Sequence, residues 1–135
     1  MRDEPIIIID DDMEDIELFK EIATELRLPN QILSFHDPLN AVDFLKNTIL
    51  EPVLILCDIN MPKLDGFQLR TELLNSDSNI KNVPFVFLST SKVSRDITHA
   101  NKLQAFAYYS KPDTIDGIKQ TFQSIMQALN INPNN

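Results

Sequence analysis

Glycine is scarce in this chain: Gly66 and Gly117 are the only two among 135 residues. A loop that cradles phosphates with backbone N–H groups needs several closely spaced glycines, so a glycine-rich nucleotide site is excluded. Cysteine is scarcer still. The single Cys57 allows no internal disulfide and points to a reducing compartment. It lies inside an apolar run, where a lone cysteine reads as a small core residue rather than a reactive thiol. Positive charge is also short, with 12 Lys and Arg against 20 Asp and Glu and a net charge of -8. That balance excludes the basic stripe needed for non-specific DNA or RNA binding and argues against an anionic membrane as partner. No apolar run approaches the ~18 residues of a membrane span, and the four isoleucines Ile6 to Ile9 are too few for a signal-peptide core. The chain therefore reads as soluble and cytoplasmic. His36 and His99 have no metal-ligand spacing with each other or with Cys57, and no Ser-His-Asp arrangement is apparent.

What the chain does have is alternation. Short apolar runs at Pro5–Ile9, Ile32–Phe35, Val53–Cys57, Pro84–Leu88 and Ala107–Ser110 are four to six residues long and mostly rich in Ile, Val, Phe or Tyr. Continuous runs of that length read as strands buried on both faces. Amphipathic stretches lie between them. The first carries Ile16, Phe19, Ile22, Ala23 and Leu26, with Asp12 as its cap and Glu14 and Asp15 at the positive end of the helix dipole. The second opens at Asp37-Pro38 and carries Leu39, Val42, Leu45 and, at its far end, Ile49. The third follows Gly66 with Phe67, Leu69, Leu73 and Leu74; the fourth runs from about Ser94 to Leu103. The fifth starts near Thr114 with Ile115, Ile118, Phe122, Ile125, Met126 and Leu129. Five strands alternating with five helices predict one α/β domain over residues 1–135: a doubly wound parallel sheet with helices on both faces, a core of about 5–129 and a polar tail at 130–135.

Ligands of such sheets bind at the carboxyl ends of the strands. Here those ends carry Asp10-Asp11-Asp12 after the first run, Asp58 after the third, Ser89-Thr90-Ser91 at the end of the fourth, and Lys111-Pro112 after the fifth. Carboxylates brought together repel one another unless a cation compensates. A hard divalent cation is the natural solution, and Mg2+ favours one or two carboxylates, several waters and a phosphate oxygen. Asp58 can attack phosphorus to give an acyl phosphate, a reaction that asks the protein mainly for positioning and charge neutralisation. Lys111 supplies a point charge to one phosphoryl oxygen and Ser89 a hydrogen bond to another. Alone, Lys111 would read as a surface lysine and Ser89 as a turn residue; together with the carboxylates they complete a phosphate cage.

These residues resemble the receiver domains of two-component response regulators, of the chemotaxis-regulator type. The matching pieces are IIIIDDD, LILCDINMPKLDGF, PFVFLSTS and YYSKP, and the resemblance spans about Pro5 to Leu129. It implies a flavodoxin-like strand order 2-1-3-4-5 and a phosphoacceptor role for Asp58. It implies Mg2+, with Mn2+ as substitute, bound by the side chains of Asp11 and Asp58, by the backbone carbonyl of Asn60, and by Asp10 through a metal-bound water. Ser89 becomes the switch hydroxyl, Tyr108 the aromatic that swings inward, and Lys111 the phosphate contact, with a cis bond to Pro112. Asn60 and Ser91 occupy the positions that tune phosphate lifetime. Two departures stand out: Ser replaces the commoner Thr at residue 89, and Gln104-Ala105 stands where the family has Gly-Ala.

The implied donor is a histidine kinase or histidine phosphotransfer protein. The implied readout is a protein partner, or a second copy of the chain, on the face of helix four, strand five and helix five. The chemistry is self-modification, with formation and hydrolysis of the chain's own acyl phosphate, rather than conventional enzyme catalysis. With no output domain after the fifth helix, the chain reads as a stand-alone receiver or an excised piece. Alternatives are an intermediate shuttle in a multi-step phosphorelay and a receiver-like scaffold that takes no phosphate.

Overall fold

A computed structural model describes residues 4–90 and 93–133. In it, β1 (Ile6–Ile9), β2 (Ile32–Phe35), β3 (Leu54–Cys57), β4 (Phe85–Ser89) and β5 (Ala107–Ser110) form one sheet in the order β2-β1-β3-β4-β5, with every neighbouring pair parallel. The crossovers are α1 (Met13–Glu25), α2 (Pro38–Asn47), α3 (Gly66–Leu74) and α4 (Ser94–Lys102), and α5 (Ile115–Ala128) follows the last strand. A short 3-10 turn at Asn79–Asn82, unforeseen from the sequence, precedes β4.

The central strands bury both faces, as their unbroken apolar runs predict. Ile6, Ile8, Leu54, Leu56, Val86 and Leu88 face one core with α1 and α5. Ile7, Ile9, Ile55, Cys57, Phe85 and Phe87 face the other, with α2 and α3. The edge strands differ from expectation. β2 is half-buried throughout and β5 ends in an exposed Ser110, because each has a neighbour on one side only. Three residues expected on apolar helix faces are also solvent-exposed: Leu39, Ile115 and Ile49, the last lying beyond the end of α2.

Helix starts follow the sequence signals. Asp12, Asp37 and Thr114 each cap the following helix by accepting a backbone N–H, from Glu14, Leu39 and Gly117. α3 adds a capping box in which Asp65 and Gln68 each bond the other's backbone.

Helix ends show how the chain manages with two glycines. α1, α4 and α5 all close with a left-handed residue, Arg27 (φ 56°), Gln104 (φ 60°) and Asn130 (φ 57°). The N–H after each one reaches back to Ala23, Ala100 and Met126. Glycine usually fills this place because a side chain costs about 1–2 kcal/mol in that conformation. At Gln104 the missing glycine is offset by Arg70, whose Nε donates to the Leu103 carbonyl at 3.0 Å and Nη2 to the Gln104 carbonyl at 3.2 Å. Gln104→Gly should keep this cap and remove the strain, raising stability by about 0.5–1 kcal/mol in urea denaturation; an unchanged midpoint would mean that the side chain costs nothing there.

Candidate functional site

The sheet delivers its polar groups by a simple device: the ladder runs one residue past the strands. Asp10 N–H donates to the Phe35 carbonyl at 3.1 Å, Asp58 N–H to Ile9 at 2.9 Å, and Lys111 N–H to Ser89 at 2.7 Å. Each backbone is therefore held as firmly as a strand residue while its side chain stands on the rim. Asp10, Asp11 and Asp58 each place a carboxylate oxygen there, and those oxygens all lie within 4.8 Å of one another. Asp10 is buried, Asp58 half-buried and Asp11 exposed.

Lys111 reaches into this group. Its Nζ lies 2.9 Å from Asp10 Oδ2 and 3.8 Å from Asp58 Oδ2, with only 10% of the side chain exposed. It also lies 2.8 Å from Oδ2 of Asp15, in the first turn of α1. In the sequence Asp15 reads only as an acidic residue at the positive end of the helix dipole. No local signal could have found this contact, since 96 residues separate the partners.

The Asp58 carboxylate is fixed from below. Its Oδ1 accepts the Ile59 N–H at 2.7 Å, which leaves Oδ2 on the lysine side. The loop beyond it folds back so that Gly66 N–H donates to the Ile59 carbonyl at 2.8 Å. Gly66 is required here by close approach: a Cβ on it would meet the Asp58 carbonyl oxygen and lie 2.9 Å from Ile59 Cα. Lys63, at φ 73° in the same loop, ties it to the α2 cap through an ion pair with Asp37 at 2.8 Å.

The other expected residues fall as follows. Ser89 closes β4 and is fully buried. Tyr108 lies opposite Phe87 in β5, half-buried against the core beneath α2 and α3. Asn60 is exposed two residues past Asp58. Ser91 lies outside the described residues. The Lys111–Pro112 bond, expected to be cis, is trans, the form an X–Pro bond favours by about 0.5–1 kcal/mol.

The charges are under tension. Burial raises Asp10 to about 6, against the opposing pull of Lys111 and the Asp12 N–H. Burial also raises Asp58, again opposed by Lys111. Burial alone would lower Lys111; its hydrogen bond to Asp15 and the charges of Asp10 and Asp58 outweigh that and raise it, so it is always an ammonium. One ammonium does not neutralise the surrounding carboxylates. Carboxylate oxygens are the hard donors that Mg2+ takes, one or two of them directly and others through its bound waters, so the three converging here fit the metal.

Asp10 is protonated more readily in the folded chain than in the unfolded one, so its share of stability is present at low pH and lost as pH rises through about 6. Metal binding removes that cost, but only once Asp10 is ionised. Mg2+ affinity should fall by about tenfold per unit below pH 6 and level off above pH 7. Thermal melts with and without Mg2+ between pH 5 and 8 check this, and a metal-induced shift that does not change with pH would contradict it.

A family model described as the response regulator receiver domain matches residues 6–123. The chain belongs to this family. It is 26% identical over 125 residues to response regulator Rcp1 of Synechocystis sp., covering 89% of this chain and 84% of Rcp1. It also spans 48% of one longer regulator and 38% of another. Among solved structures, the phosphorylated cyanobacterial phytochrome response regulator RcpA superposes with a TM-score of 0.84 at 28% identity, over 94% of this receiver and 93% of that chain. The Mn2+-bound form of Rcp1 superposes with a TM-score of 0.81 at 26% identity, over 90% and 91%. The strand order and the Asp10–Asp11–Asp58 cluster agree with a receiver that binds a divalent metal. Receiver domains of two-component systems interact with histidine kinases and downstream targets. Among the described residues no helix is long and apolar enough to cross a membrane.

Proposed function

We propose that Asp58 accepts a phosphoryl group from the phosphohistidine of a kinase or phosphotransfer protein, and that the added charge switches a protein-binding surface in the cytoplasm. The observation that carries this reading is the convergence of Asp10, Asp11, Asp58 and Lys111 from three strand ends onto one rim. Asp58 Oδ2 forms the new O–P bond as the donor P–N bond breaks; the leaving imidazole keeps the bonding electrons and takes up a proton from solvent. Burial makes the attacking carboxylate more basic, and the Ile59 N–H fixes its orientation. Asp11 and Asp58, with the Asn60 carbonyl and with Asp10 acting through a bound water, would hold Mg2+, which would neutralise charge on the phosphoryl oxygens. Lys111 meets a second oxygen and Ser89 a third.

Ser89 then moves toward the phosphoryl group, and Tyr108 turns into the space it leaves. The altered face of α4, β5 and α5 selects the downstream protein or a second copy of the chain. Asn60 and Ser91 set how long the acyl phosphate lasts. The chain is self-modifying, not a conventional enzyme. The phosphorylated state of RcpA and the Mn2+ bound to Rcp1 support the reading by likeness.

The test is labelling with 32P-acetyl phosphate or a phosphohistidine donor, with and without Mg2+. The wild type should take up alkali-labile label in a metal-dependent way, and Asp58→Asn should take up none. Equal labelling of the two would remove Asp58 from its role.

A further inference from the structure

We propose that Asp15 is a positioning residue for Lys111: it keeps the ammonium to one side of the metal-binding carboxylates, so that cation and lysine occupy the site together. Lys111 contacts three carboxylates, at 2.9 Å from Asp10, 2.8 Å from Asp15 and 3.8 Å from Asp58. Two of these, Asp10 and Asp58, belong to the group whose oxygens converge on a metal position; Asp15 does not. A divalent cation among Asp10, Asp11 and Asp58 draws their negative charge toward itself and repels the nearby ammonium. Without another anchor, lysine and cation would compete for the same oxygens. Asp15 supplies that anchor at hydrogen-bond distance. It comes from α1, whose start is fixed by the Asp12 cap, so its position does not depend on the loop that carries Asp58. The Lys111 side chain is 10% exposed and that of Asp15 22%, which shields the pair from much of the solvent screening that weakens surface ion pairs.

The inference bears on phosphate chemistry only through the proposed function above, but its test needs no phosphodonor. If Asp58 proved not to accept phosphate, the result would stand on its own. Mg2+ binding is measured by calorimetry for wild type, Asp15→Asn, Lys111→Met and the double variant. With Lys111 present, Asp15→Asn should weaken Mg2+ binding by about fivefold or more, within the range of coupling between contacting residues. With Lys111→Met it should change binding by less than about twofold, the remainder being the long-range effect of one charge. The same fold-change in both backgrounds would overturn the proposal, since Asp15 would then act only as a distant negative charge.

A second readout separates positioning from folding. The Lys111 ammonium should give a protected 15N signal in wild type that survives saturating Mg2+. In Asp15→Asn that signal should disappear on adding Mg2+, and Asp15→Glu should restore it in part. A Mg2+-resistant signal in Asp15→Asn would also overturn the proposal.

Discussion

Replacing Gly66 with alanine should destabilise the domain by about 3 kcal/mol, at the upper end for overpacking, because the added methyl meets backbone rather than a flexible side chain. The new Cβ would press on the Asp58 carbonyl and on Ile59 Cα. Neither can yield cheaply. Asp58 N–H is bonded to Ile9 in the ladder, and Ile59 N–H holds the Asp58 carboxylate. On the other side, α3 is fixed by the Asp65–Gln68 capping box. The helix-forming advantage of alanine over glycine recovers at most about 1 kcal/mol. A loss of this size lowers the melting temperature by roughly 10 °C in a domain of this length. On the proposed function the variant should also lose more than tenfold in phosphorylation rate, since a shift of ~1 Å in the Asp58 carboxylate costs alignment. Urea denaturation and initial labelling rates check the two parts separately. Wild-type stability in Gly66→Ala would show that the loop carrying Asp58 moves freely.

Lys111→Ala should destabilise the metal-free chain strongly at pH 8 and little at pH 5. Asp10 is 2% exposed, and its remaining bond is the Asp12 N–H at 2.9 Å. Breaking a buried pair leaves an uncompensated charge. The loss has a ceiling, because Asp10 escapes by taking a proton. It already sits at about 6 against an ordinary value of 3.8, and each further unit is worth ~1.4 kcal/mol. At pH 8 the extra cost is therefore limited to about 3 kcal/mol. At pH 5 Asp10 is already largely protonated and loses little. Saturating Mg2+ should recover most of the loss at pH 8 by replacing the missing positive charge. Equal destabilisation at both pH values would assign the effect to the buried stem of the lysine or to its pair with Asp15, and not to the charge of Asp10. The variant should still accept phosphate, while its Tyr108 ring signals should no longer shift when beryllofluoride, a phosphoryl mimic, is added with Mg2+.

These effects mark the boundary between what is local and what is not. The sequence by itself determined the five strands, the five helices and their order, because burial on both faces forces unbroken apolar runs and because Asp12, Asp37 and Thr114 cap α1, α2 and α5. It determined which residues end the strands, hence Asp10, Asp58, Ser89 and Lys111. The exposure of Leu39 and Ile115 was not legible, since an apolar residue at a helix start shows its period but not whether a neighbour covers it. The trans bond before Pro112 likewise departs from what family likeness implies. Only the tertiary structure decided that Asp15 faces Lys111, that Arg70 of α3 closes the end of α4, and that Gly66 must be bare because Asp58 lies against it. All three are contacts between separate elements at distances below 4 Å. Composition and period fix what an element is; which of its side chains meets another element depends on how the sheet and helices pack.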